Sequence, residues 1–250
     1  MTSQTSRFRP SSYLHDILHT IWSTSHRLFK WITSFTSQPK QFKVICFEGN
    51  IGAGKSTIID NLVKLIGEEK VVVLKEPISL WQDFHGHNML DLYYRFPRQF
   101  AFTLQTFVQT SLLHQYHQLL PRVGADKIIL MERSMSSSKD FFIPIMKESG
   151  YIDEHQMHVS SYLCDVFSDL FPIDTVIYLR SEPKQCLERI KYRGRKEEVD
   201  RIDLEYVTHL HTLHEKWYPT SCATLVDTHN LNREDAVKHV YNVILEKKLV

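Results

Sequence analysis

Residues 49–57 read Gly-Asn-Ile-Gly-Ala-Gly-Lys-Ser-Thr, directly after the short apolar run Phe42-Lys43-Val44-Ile45-Cys46-Phe47-Glu48. This junction narrows the fold more than any other feature of the chain. It contains the spacing G-x-x-x-x-G-K-[ST], and each residue type in it has a physical reason. Gly49, Gly52 and Gly54 permit a tight turn whose N–H groups converge on an anion, with Asn50, Ile51, Ala53 and Thr57 completing the loop. Lys55 sets a cation against the outer phosphates, and the Ser56 hydroxyl suits Mg²⁺. A helix opening at Lys55 adds the positive end of its dipole. A loop of this kind binds a nucleoside triphosphate but does not say what receives the phosphoryl group, so a GTPase, a motor ATPase and a small-molecule kinase all stay open. No N-K-x-D element for guanine recognition is present.

The rest of residues 42–250 repeats the theme. Short apolar runs at Val71–Leu74, Ile128–Met131 and Val176–Leu179, with a weaker one at Leu225–Val226, alternate with helical spacing over Ile58–Ile66, Phe100–Leu120 and His155–Phe171. Strands alternating with helices predict an α/β domain of the P-loop type, a parallel five-stranded sheet flanked by helices. With 30 Lys+Arg against 29 Asp+Glu in 250 residues there is no global basic field, so no nucleic-acid partner is expected. Cys46, Cys164, Cys186 and Cys222 form no C-x-x-C pair and read as reduced, mostly buried thiols of a reducing compartment.

Residues 1–41 differ. They carry Arg7, Arg9, Arg27, Lys30 and Lys40 against the single acid Asp16, with Leu14, Ile17, Leu18, Ile21 and Trp22 at helical spacing. No run of about 18 apolar residues exists, so no membrane span is expected. An acid-poor amphipathic segment ahead of a folded domain reads as a transit peptide and predicts the mitochondrial matrix. An ordinary appended helix, the alternative, would leave the protein cytoplasmic.

Three charged clusters fall where the strand ends of an open α/β sheet would put them, at the ligand-binding edge. Glu76-Pro77 follows the second strand, with Trp81 close behind; Met131-Glu132-Arg133-Ser134 ends the third; Arg189 and Arg193-Gly194-Arg195-Lys196-Glu197-Glu198 follow the fourth. Arginines this dense beside a phosphate loop suit neutralisation of a transferring phosphoryl group.

With these motifs, and with Gly86-His87-Asn88, Thr103-Leu104-Gln105-Thr106-Phe107-Val108 and Leu213-His214-Glu215-Lys216-Trp217, the chain resembles the deoxynucleoside kinase family. The resemblance is to the branch of mitochondrial thymidine kinases and insect-type deoxynucleoside kinases, related to deoxycytidine and deoxyguanosine kinases. It implies ATP as donor, Mg²⁺, a deoxyribonucleoside acceptor and a homodimer. It further implies Glu76 as the base for the 5′-hydroxyl, Arg133 holding Glu76 and the 5′-oxygen in line, and Glu132 supporting Mg²⁺ with Ser56. Gln105 would read the base edge, Trp81 and Phe142 would pack the base, and Tyr94 and Glu198 would bond the 3′-hydroxyl. Arg193 and Arg195 match an arginine-rich lid. Leu112 and Ser138 stand where the deoxycytidine branch carries charged groups reaching the base. Their lack of charge, with apolar Val108, implies a pyrimidine preference for thymidine and deoxycytidine. Two rivals are a thymidylate-type monophosphate kinase, which favours an Asp-Arg pair where Glu132-Arg133 stands, and a non-catalytic respiratory-complex subunit of the same fold, which has no use for Lys55, Glu76, Arg133 and the lid together.

Overall fold

The computed structural model describes residues 42–249 apart from 125, 171 and 172. The expected transit segment, 1–41, lies outside the described residues. The chain runs β1 (Lys43–Glu48), α1 (Lys55–Ile66), β2 (Val71–Leu74), α2 (Ile78–Gln82), α3 (Met89–Arg95) and α4 (Pro97–Leu119). After β3 (Ile128–Glu132) come a short turn α5 (Met135–Ser137), a π-helical turn (Ser138–Phe142), α6 (Ile143–Glu148) and α7 (Glu154–Ser168). The last part is β4 (Thr175–Arg180), α8 (Pro183–Arg193), α9 (Lys196–Val199), α10 (Leu204–Trp217), β5 (Thr224–Asp227) and α11 (Arg233–Glu246).

Among the described residues the five strands form one sheet in the order β2-β3-β1-β4-β5, with every pairing parallel. The expected parallel five-stranded sheet is therefore observed, each strand within two residues of its predicted bounds. The reason the runs read as continuous rather than alternating is burial on both faces. Val44 to Glu48 are all buried, and β3 is buried along its whole length. Ile45, Phe47, Leu130, Ile177 and Leu179 pack against Ile58, Ile59 and Leu62 of α1 and Val240 and Ile244 of α11. A second apolar cluster, around Trp81, Leu104, Phe141, Ile143 and Leu210, fills the space among the helices that follow β2 and β3. Cys46, Cys164 and Cys186 are buried and free, whereas Cys222 is exposed.

This topology assembles the site. β1 is central, and a parallel sheet puts all strand carboxyl ends on one edge, so Glu48, Glu76, Glu132 and Arg133 emerge there together beside the N-terminus of α1. The loop between β1 and α1 is held against α8 so closely that only glycine fits. Gly52 has φ 78°, and a Cβ there would lie 2.4 Å from the Cys186 carbonyl oxygen. Gly52→Ala is expected to lower stability by about 1–3 kcal/mol, because both the left-handed backbone and the backbone collision must be relieved. A urea titration read by circular dichroism measures it.

Candidate active site

The strand-end edge opens into a cavity of about 890 Å³. One end is the phosphate loop. Lys55 begins α1 directly after Gly54, which adopts φ 95° as its N-cap. Its Nζ donates to the carbonyl oxygens of Gly49 (3.1 Å) and Asn50 (2.9 Å), so the loop curls around its own lysine. Burial first, then the Arg133 guanidinium, pulls the Lys55 ammonium down to about 8. Asn50 pins the loop from behind, its amide donating to the Val207 carbonyl of α10 at 2.7 Å and its side-chain oxygen accepting from the Ile51 N–H at 2.8 Å. Gly49 and Asn50 thus support the loop without lining the cavity; the loop residues from Ile51 to Thr57 line it.

Next to Lys55, the Ser56 Oγ donates to the Glu132 Oε1 at 2.6 Å. These are two hard oxygen donors at adjoining points of the wall, the kind of ligand Mg²⁺ takes. Among the described residues no group of three or more His, Cys, Asp or Glu is placed to hold a metal. A Mg²⁺ here would therefore draw its other ligands from phosphates and water, as that ion commonly does.

At the other end stands Glu76, 20% exposed and 3.4 Å from the Arg133 Nε. Arg133 itself is 4% exposed, and its Nη1 lies 3.7 Å from the Glu48 Oε2. One buried guanidinium therefore spans two carboxylates, while its face rests 4.9 Å from the centroid of the Phe142 ring. The backbone bends to allow it: Arg133 has φ 64°, a left-handed conformation uncommon for a side chain this large. An N–H to the Phe47 carbonyl at 3.0 Å fastens it to β1. Such strain, concentrated at a strand end, is a mark of functional sites. Burial pushes the Glu76 carboxyl above its ordinary value, Arg133 opposes that rise, and the neighbouring Glu132 charge adds to it.

Trp81, Leu104, Gln105, Val108, Phe142 and Met146 wall the space beyond Glu76. Trp81 is fixed by its indole N–H, which donates to Ser111 Oγ at 2.9 Å. Gln105 is buried with an amide oxygen that has no hydrogen-bond partner among the described residues. The π-helical turn at Ser138–Phe142 inserts an extra residue per turn and so re-aims Phe142 into the cavity. Tyr94, Tyr93 and Tyr206 line the far side with Glu198. Glu198 is buried and accepts from Arg193 through one oxygen and from Arg195 at 3.0 Å through the other, so both lid arginines are tied to one carboxylate.

Two expected contact residues are placed elsewhere. Leu112 is buried one turn past Val108 on α4, and Ser138 is buried at the start of the π turn; neither is among the residues lining the cavity. Both side chains are buried in packing. Sequence reading also missed Glu48, Tyr93, Tyr206 and the Thr228–Arg233 connection, which extends the cavity past the phosphate loop. Glu48 could have been suspected from a charged residue closing an otherwise apolar strand. The tyrosines carried no local signal.

A loop that cradles a triphosphate and, within the same cavity, a carboxylate able to accept a hydroxyl proton define a P-loop phosphotransferase. The deoxynucleoside kinase family model matches residues 45–249. The chain is 35% identical over 204 residues to "Thymidine kinase 2, mitochondrial" of Macaca fascicularis, covering 78% of this chain and 74% of that protein. It is 35% identical to the Homo sapiens protein of the same name over 189 residues, 75% of this chain and 68% of that one. "Deoxycytidine kinase 2" of Gallus gallus is 34% identical over 206 residues, 73% of this chain and 76% of its own length. The chain belongs to the deoxynucleoside kinase family: it is an enzyme that phosphorylates deoxynucleosides, and the family implies ATP as the phosphoryl donor.

Because a single buried carboxylate ties down both Arg193 and Arg195, Glu198→Gln is expected to loosen the segment that carries them. Tryptic cleavage after Arg193 and Arg195 should accelerate by about tenfold, the equivalent of one charge-assisted hydrogen bond. Gel-resolved proteolysis time courses check this.

Proposed function

We propose that this enzyme is a pyrimidine-preferring deoxynucleoside kinase of nucleotide salvage, moving the γ-phosphoryl of ATP to the 5′-hydroxyl of thymidine or deoxycytidine. The observation that carries the reading is the Glu76–Arg133 contact at 3.4 Å inside the cavity that the phosphate loop opens into. Glu76 takes the 5′-hydroxyl proton as the oxygen bonds to the γ-phosphorus and the bond to the departing ADP breaks. Arg133 keeps Glu76 and the 5′-oxygen aligned. Lys55 and the lid arginines neutralise charge on the phosphates; Arg193 and Arg195 exchange Glu198 for phosphate as the lid closes. Mg²⁺, when bound with the triphosphate, supplies further neutralisation of the phosphate oxygens. Ser56 and Glu132 are the residues that would hold it. Tyr94 and Glu198 receive the 3′-hydroxyl.

The base preference rests on Gln105. Its unpartnered, buried amide oxygen needs a donor, and both the thymine N3–H and the cytosine amino group offer one once the amide orients to suit. Trp81, Phe142 and Val108 add apolar area for a pyrimidine ring and a thymine methyl. A monophosphate acceptor would bring two more charges to an end of the cavity already occupied by Glu76, which disfavours the thymidylate-kinase alternative.

A homodimer is supported by Val159 (48% exposed), Tyr162 (68%) and Val166 (42%), which repeat along one face of α7 as an apolar stripe open to solvent. Among the described residues no helix is long and apolar enough to cross a membrane. Mitochondrial residence is supported by the acid-poor composition of residues 1–41 together with the printed names of the two thymidine kinase relatives.

Glu76→Gln tests the chemistry. It should lower kcat about 10²- to 10⁴-fold, the usual contribution of a positioned base. In the wild type kcat/KM should fall as pH drops, because a protonated Glu76 cannot accept the 5′-hydroxyl proton. Burial raises that carboxyl above its ordinary 4.5, so the acid limb should lie above the range of an exposed glutamate. Steady-state kinetics across pH, with the limb absent from the residual rate of the variant, provide the check.

A further inference from the structure

Glu48 closes β1 with its side chain 2% exposed, and it is not among the residues that line the cavity. One carboxylate oxygen is well supplied: it accepts from Ser137 Oγ, from Ser134 Oγ at 3.3 Å and weakly from the Cys46 thiol at 3.8 Å. The other, Oε2, faces the Arg133 Nη1 at 3.7 Å, and among the described residues neither of these two atoms has a hydrogen-bond partner. A buried ion pair with a gap between its partners is an expensive way to pack a strand end; a well-fitted apolar pair would hold it as firmly. What only a carboxylate provides is a fixed negative charge behind the guanidinium. The two serine hydroxyls, both on the segment that leads into the π turn, hold that charge in place.

We propose that Glu48 is a positioning residue for phosphoryl transfer, the permanent counter-charge that keeps Arg133 aimed at the acceptor oxygen while Glu76 releases it. This rests on the reading of Glu76 as the base. Arg133 is shared between a carboxylate whose charge it and the Ser137 hydroxyl support against burial and one that must take a proton. As the proton passes from the 5′-hydroxyl to Glu76, Glu76 loses its charge and its hold on the arginine. Without Glu48 the guanidinium would then have neither of its two carboxylate partners, while before the transfer it would bind Glu76 alone and hold it as the unreactive ion pair. Both defects fall on the transfer step, and neither touches the groups placed for the base or the sugar.

Glu48→Gln keeps the shape and the serine contacts and removes the charge. It is expected to lower kcat about 10- to 100-fold, with KM for thymidine and for ATP changing less than about threefold. In a cycle with Arg133→Lys, the double variant should be about as slow as Arg133→Lys alone, since Glu48 acts through that arginine; a purely structural role would make the two losses multiply. Glu76→Gln runs in parallel. If Glu76→Gln turns over like the wild type, the reading of the base fails, and the Glu48 proposal with it. If Glu76→Gln is slow but Glu48→Gln keeps kcat within about twofold, or the cycle losses multiply, the Glu48 proposal alone is overturned. Thermal unfolding separates catalytic from folding defects. Should Glu48→Gln fail to fold, Glu48→Asp draws the carboxylate back by one methylene and should cost kcat about three- to tenfold; an unchanged kcat overturns the proposal.

Discussion

The position of the Arg133 guanidinium governs the end of the cavity that holds Glu76. A cation this deeply buried is tolerable only if carboxylates surround it, and here two do, from the ends of different strands. To reach them the backbone takes a left-handed turn immediately after β3, and the side chain lies across Phe142. That turn depends on β3 lying beside β1, since the Arg133 N–H is tied to the Phe47 carbonyl. The sheet order, the π turn that presents Phe142 and the serine pair under Glu48 all serve one charge placement. The donor end is simpler, a loop of glycines and a lysine whose geometry is fixed locally and braced by Asn50 and α8.

Electrostatics ties the two ends together. The cavity gathers Lys55, Arg133, Arg193 and Arg195 against Glu76, Glu132 and Glu198, with Glu48 just behind its wall. Burial is the main reason that Lys55 is depressed and Glu76 raised; Arg133 adds to the first shift and opposes the second. Lys55, Arg193 and Arg195 are satisfied within the protein by carbonyl and carboxylate oxygens, whereas the Arg133 Nη1 has no hydrogen-bond partner among the described residues. In the function proposed above, a triphosphate entering the site takes the place of the protein oxygens that now hold Lys55, Arg193 and Arg195.

Much of this was legible in the sequence because it is local. The phosphate loop announces itself by glycine spacing between a strand and a helix, and the buried strands announce themselves by continuous apolar runs. Glu76, Glu132 and Arg133 were identifiable as charges interrupting those runs at their carboxyl ends. The rest depends on contacts through space. Glu48 sits in the same kind of position, yet its partnership with Arg133, 85 residues along the chain, appears only when β1 and β3 pair. Tyr206 and Tyr93 reach the cavity because α10 and α3 converge on it, for which neither helix carries a signature. Leu112 and Ser138, expected beside the base, are buried in packing and are not among the residues that line the cavity, which local sequence does not reveal.

The central claim is that the acceptor is the 5′-hydroxyl of a pyrimidine deoxynucleoside. The most direct measurement is a competition. Thymidine, deoxycytidine, deoxyadenosine, deoxyguanosine and isotope-labelled thymidine monophosphate are offered at equal concentration with ATP and Mg²⁺, and products are resolved by mass spectrometry. Thymidine and deoxycytidine monophosphates should dominate the products. Accumulation of thymidine diphosphate without nucleoside turnover, or no phosphorylated product from any acceptor, would contradict the account.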